Sequence, residues 1–91
     1  MKIVGTKILV LGKVQGVFFR KSTVEKAVSL SIKGWVKNTP EGSVEIAAEG
    51  DNTKVNELIK WCKLGPKNAV VTGVEARTVQ LSNYSDFRII R

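Results

Sequence analysis

At 91 residues the chain has room for one domain around one core, and 43% hydrophobic with 25% charged residues is a globular composition that excludes disorder. A formal net charge of +7 points to anionic partners without choosing among nucleic acid, acidic membrane and small phosphates. With no histidine and Cys62 the single cysteine, a His general base, a phosphohistidine, a His-ligated metal, a cysteine cluster and an internal disulfide are all excluded.

In chain order, Lys7–Leu11 is apolar enough to be a central strand. Gly12 to Val17 carries two glycines and reads as a loop. Phe19, Val24, Ala27 and Val28 recur at helical spacing, with Lys21, Glu25 and Lys26 on the wet face, which predicts a first helix closing near Leu30. A second strand through Trp35 and Val36 to Asn38 and a third over 43–49 form a hairpin about Thr39-Pro40-Glu41-Gly42. Asp51 or Asn52 can cap a second helix carrying Val55, Leu58, Ile59 and Cys62 on one stripe, stopped by Gly65-Pro66. A strand over 69–79 slips its alternation between Val71 and Val74 about Gly73, so a bulge is expected there, and 87–90 forms a short last strand.

The order β-α-β-β-α-β plus a terminal strand predicts an α+β, ferredoxin-like split-βαβ sandwich, an antiparallel sheet with both helices on one face. Residues 1–91 read as a single domain without repeats or linkers. No apolar run approaches the ~20 residues of a membrane span, and the opening segment is too short and polar for a signal peptide. A cytoplasmic protein without a membrane partner is expected.

The loop Gly12-Lys13-Val14-Gln15-Gly16-Val17-Phe18-Phe19-Arg20 joins a buried strand to the first turn of a helix, where backbone amides lack intrahelical acceptors. Gly16 lets those amides curl toward one hollow. Arg20 opposes the helix dipole locally, which makes sense if a dianion occupies the site. Asn38 ends the second strand, and spacing alone leaves open whether it lies near that hollow. Taken singly, each stretch is also compatible with an ordinary turn.

Together, Gly12–Arg20 and the run Gly34-Trp35-Val36-Lys37-Asn38, Gly42-Ser43-Val44 and Gly50 resemble the two signatures of the acylphosphatase family. Gly65-Pro66, Ala69, Val71 and the Phe87 ending are similar to it as well, so the likeness covers almost the whole chain. The resemblance implies a metal-independent hydrolase with no cofactor that cleaves the carboxyl–phosphate bond of small acyl phosphates. Inorganic phosphate would be its product and competitor. It also implies that Arg20 binds phosphate, that Asn38 orients the attacking water, and that the amides of Gln15, Gly16, Val17, Phe18, Phe19 and Arg20 cradle the phosphate. Ser31 departs from the pattern, which usually has Gly after the Leu that closes the first helix. A left-handed backbone there would carry a modest cost in stability.

An acyl phosphate has a good carboxylate leaving group, so the task reduces to holding a dianion and aiming one water, with a substrate oxygen taking its proton. Cys62, on the apolar stripe, reads as core rather than nucleophile. The alternative is a ferredoxin-like RNA-binding module, which needs aromatics on the central strands to stack bases. The segments 7–11 and 43–49 have none, so no nucleic acid is expected, and the protein is read as a monomer.

Overall fold

A computed structural model describes residues 2–91. Its elements are β1 (Ile3–Lys13), α1 (Phe19–Ser29), β2 (Lys33–Asn38), β3 (Val44–Asp51), α2 (Asn52–Leu64), β4 (Val70–Val79) and β5 (Phe87–Ile89). They form one five-stranded sheet of order β4-β1-β3-β2-β5. The split-βαβ unit β1 to β4 is antiparallel throughout, as expected. The terminal strand instead joins β2 in parallel, through Gly34↔Phe87 to Val36↔Ile89, so the sheet as a whole is mixed. A three-residue strand carries too little pattern for its partner to be read from sequence.

Alternation decides which face is buried. Ile8 and Val10 on β1, Val36 on β2, and Val44, Ile46 and Ala48 on β3 turn one way and are at most 1% exposed. Phe19 and Ala27 from α1 and Val55, Leu58 and Cys62 from α2 close that core. Each fully buried aliphatic of this size contributes about 1.5–3 kcal/mol before entropy is counted. The other face of the sheet carries no helix.

The buried stripe of α1 runs through Phe19, Thr23 and Ala27, a step of four. Val28, expected on it, is 62% exposed. Thr23 takes the inner place because its hydroxyl donates to the Phe19 carbonyl at 2.7 Å, which satisfies the buried polar atom. The helix ends at Leu30, and Ser31 is left-handed at φ 58°. Ile32 N–H reaches the Ala27 carbonyl at 2.9 Å and Ser31 N–H the Val28 carbonyl at 3.1 Å, a Schellman closure.

Asp51 occupies the N-cap position of α2, yet its carboxylate accepts from the Thr53 hydroxyl and caps no amide. The expected bulge is present: Leu11 pairs with Gly73 and Gly12 with Val71, leaving Thr72 unpaired. Gly12 allows this with φ 122°, where a Cβ would run into the Val70 carbonyl. Trp35 packs on the open face of the sheet, with Lys7 and Lys37 each 5.2 Å from its ring centroid.

Candidate active site

The loop after β1 is pinned by its own apolar residues. Val14 and Val17 are 1% and 7% exposed, so the backbone between and beyond them is pushed outward. Gly16 and Phe18 take positive φ values of 74° and 63°, alternating with Val17. Such alternation turns successive amides toward one hollow. Among the described residues, no backbone or side-chain oxygen accepts from the amides of Gln15 to Arg20. A bulky residue at left-handed φ costs about 1–2 kcal/mol, and Phe18 carries that cost at the head of α1.

The neighbouring Phe19 fixes the height of the helix start. Its ring is 2% exposed, lies 5.4 Å from that of Trp61 at 57°, and fills the space a Cβ on Gly65 would need. Arg20, next along, therefore has an anchored backbone and a side chain in the hollow. No carboxylate among the described residues pairs with it.

The second wall is the end of β2. Asn38 reaches the same cavity of about 250 Å³ as Gly16, Phe18, Phe19 and Arg20. Spacing had left this meeting open, and the sheet order supplies it, since β1 and β2 end on either side of β3. The Asn38 side-chain oxygen Oδ1 is buried and has no hydrogen-bond partner. A buried acceptor left unsatisfied costs about 1–3 kcal/mol, so it marks a place for a donor such as water.

The Gln15 side chain turns away from the cavity and toward the β2–β3 hairpin. Its Nε2 donates to the Thr39 carbonyl at 2.9 Å and the Ser43 carbonyl at 2.8 Å. The Thr39 and Ser43 hydroxyls share a 2.5 Å hydrogen bond in the same turn. Gln15 thus ties the loop to the turn that follows Asn38. Val17 points into the core. Of the expected cradle residues, Gly16, Phe18, Phe19 and Arg20 line the cavity, and Gln15 and Val17 flank it.

Sequence reasoning missed part of the lining. Lys21, Ile89 and Arg91 also border the cavity, and no Asp or Glu does. Ile89 and Arg91 arrive because β5 runs parallel to β2, and no motif announces that pairing. A hollow of about 300 Å³ on the open sheet face lies between Glu45 and Glu75, with Lys7 3.8 Å from Glu45. Its carboxylates offset its cations, so it lacks the free positive charge of the Arg20 cavity. Burial pushes the Cys62 thiol up to about 12, which leaves it protonated and inert.

The fold and this cavity define a ferredoxin-like α+β domain with a cationic hollow, lined by no Asp or Glu, at the head of its first helix. Comparison with known proteins narrows the class. The acylphosphatase family model matches residues 6–89. An acylphosphatase from Acaryochloris marina is 46% identical over 89 residues, covering 98% of this chain and 96% of the relative. The structure of an acylphosphatase from Coxiella burnetii superposes with a TM-score of 0.94 at 41% identity, over 97% of this chain and 93% of that one. The crystal structure of acylphosphatase from Bacillus subtilis gives 0.94 at 32% identity, over 99% and 100%. The chain belongs to the acylphosphatase family.

Proposed function

We propose that the protein hydrolyses the carboxyl–phosphate bond of small acyl phosphates, with Arg20 and the loop amides binding the phosphate and Asn38 placing the water. The observation that carries this reading is the meeting, in one cavity, of an unpaired guanidinium, unpartnered helix-head amides and a buried, unsatisfied Asn38 Oδ1.

The chemistry follows from those groups. Arg20 offers a planar fork to two phosphate oxygens, and the amides of the Gly16–Arg20 segment add fixed dipoles where charge spreads in the transition state. Asn38 Oδ1 accepts one O–H of a water and aims its free lone pair at phosphorus. The P–O bond to the carboxyl group breaks as the water oxygen bonds, and the carboxylate leaves as an anion. The water's proton passes to a phosphate oxygen of the substrate, a step that suits a cavity lining without His, Asp or Glu. Binding needs no bridging metal in this reading, because the charge of the phosphate is met by Arg20 and dipoles.

The RNA-binding alternative asks for a bare aromatic sheet face. What weighs against it is the open face itself: Glu45 lies among the lysines, with Lys37 3.6 Å from it, and Trp35 is engaged by Lys7, Lys37 and the Tyr84 hydroxyl. Among the described residues no helix is long and apolar enough to cross a membrane. The deciding experiment is benzoyl phosphate hydrolysis in the presence of a chelator, competed with inorganic phosphate. Turnover with phosphate competition is expected, and loss of turnover on chelation overturns the metal-independent mechanism.

A further inference from the structure

The segment 80–86 crosses the open face of the sheet, because the strands it joins, β4 and β5, lie at opposite edges. One buried carboxylate holds it there. Glu49 on β3 is 7% exposed and takes part in none of the ion pairs. Its Oε1 accepts the N–H of Tyr84 at 3.1 Å and its Oε2 that of Ser82. Charge-assisted bonds of this kind are about twice as strong as neutral ones. Gly5, the partner of Glu49 across β1–β3, leaves room for the chain entering the strap: a Cβ on it would lie 2.9 Å from the Val79 carbonyl oxygen and 3.3 Å from that of Gln80.

Beyond this clasp the strap is fastened toward the active site. The Tyr84 hydroxyl accepts the Trp35 indole N–H at 3.0 Å, and the Asp86 carbonyl accepts the Gly34 N–H at 2.8 Å. Phe87 enters the core, and β5 then zips onto β2 for three pairs. Ile90 N–H donates to the Val36 carbonyl at 2.9 Å, and extending that register sets Arg91 beside Asn38. Ile89 and Arg91 are the part of the cavity lining that the terminal segment brings.

We propose that Glu49 is a positioning residue for the active site: by clasping the amides of Ser82 and Tyr84 it fixes the strap that delivers β5, and with it the Ile89–Arg91 wall of the phosphate cavity. This rests on the acyl phosphate reading of the cavity. Arg20 sits on α1, and Asn38 is held from the other side by its pairing with Val44 of β3, so the wall governs affinity more than the chemical step.

The test compares Glu49→Gln, Tyr84→Phe, Arg91→Gln and the Glu49→Gln/Arg91→Gln double variant. The readouts are kcat and KM for benzoyl phosphate, inhibition by inorganic phosphate, and hydrogen exchange of the Trp35 indole N–H. Glu49→Gln turns an NH₂ group toward one of two N–H donors, so it should speed indole exchange and raise KM and the phosphate inhibition constant about tenfold, with kcat changed less than threefold. Arg91→Gln should give a similar rise with normal indole exchange, and the double variant should add little, because both act through one wall. Tyr84→Phe, which keeps the carboxylate clasp, should speed exchange and raise KM less. Wild-type KM and phosphate inhibition in a Glu49→Gln protein with a released indole overturn the inference, and so does full additivity with Arg91→Gln. If wild-type protein turns over no acyl phosphate, the activity reading falls instead, and phosphate affinity by calorimetry on the same variants still decides the role of Glu49.

Discussion

The Gln15 side chain spends both N–H groups on the hairpin, donating to the Ser43 carbonyl at 2.8 Å and to the Thr39 carbonyl at 2.9 Å. Two segments far apart in sequence, the loop with the free amides and the turn after Asn38, are thereby held at one spacing. Gln15→Met keeps the length and removes the donors. Each carbonyl keeps a backbone N–H, Thr39 from Gly42 at 3.2 Å and Ser43 from Thr39 at 2.9 Å, so the loss of the side-chain bonds should cost about 0.5–1.5 kcal/mol of stability. The drift between cradle and Asn38 should lower kcat roughly tenfold or more, since small misplacements are costly in an in-line displacement. Urea unfolding and steady-state kinetics on one preparation check both, and an unchanged kcat removes Gln15 from the positioning of the site.

Arg20→Lys separates charge from shape. The ammonium keeps the positive charge at the head of α1 but cannot grip two phosphate oxygens as a planar fork. A loss of about 10²–10³ in kcat is expected, with weaker phosphate inhibition. Retention of most turnover would mean that charge alone suffices and that the guanidinium geometry is incidental.

Ser31 offers a gain in stability away from the chemistry. Its φ of 58° is a conformation that costs an L-residue about 1–2 kcal/mol, part of which glycine gives back as unfolded-chain entropy. Ser31→Gly should stabilise by about 0.5–1 kcal/mol, a rise of roughly 4 °C in Tm for a domain of this size. Activity should not change. Calorimetry with a parallel assay decides it.

Cys62 gives a pH dependence of known sign. Burial raises its thiol from 9.0 to about 12, so the folded state holds the proton where the unfolded chain releases it. Below pH 9 the group has no pH effect on stability. Between 9 and 12 the unfolded state binds fewer protons, and stability falls as pH rises. Cys62→Ala, less stable overall because of the cavity it leaves, should show a flatter alkaline limb in its unfolding midpoint.

The legibility of the sequence follows the range of the interactions. The elements, the sheet-and-helix layering and the bulge at Thr72 were readable because periodicity and glycine placement are local, whereas Ser31 stood out only against the family pattern. Val28 was misplaced because a threonine that satisfies its own hydroxyl can outcompete a valine for the inner face, which hydrophobicity does not register. That Arg20 and Asn38 belong to one site came from the family likeness, since only strand order brings them to one cavity. The parallel seat of β5, the Arg91 wall, the left-handed Phe18 and the reach of Gln15 to the hairpin are tertiary facts with no local signature.

The division of labour between a phosphate cradle and a separate water-placing amide is tested most directly by Asn38→Ala, with turnover and phosphate affinity measured on the same protein. Orientation of water acts in the transition state and not in ground-state binding. The variant should therefore bind inorganic phosphate within about twofold of wild type while kcat falls about 10²-fold or more. Near-normal turnover, or a parallel collapse of phosphate affinity, would contradict the assignment of the unpartnered Oδ1 to the attacking water.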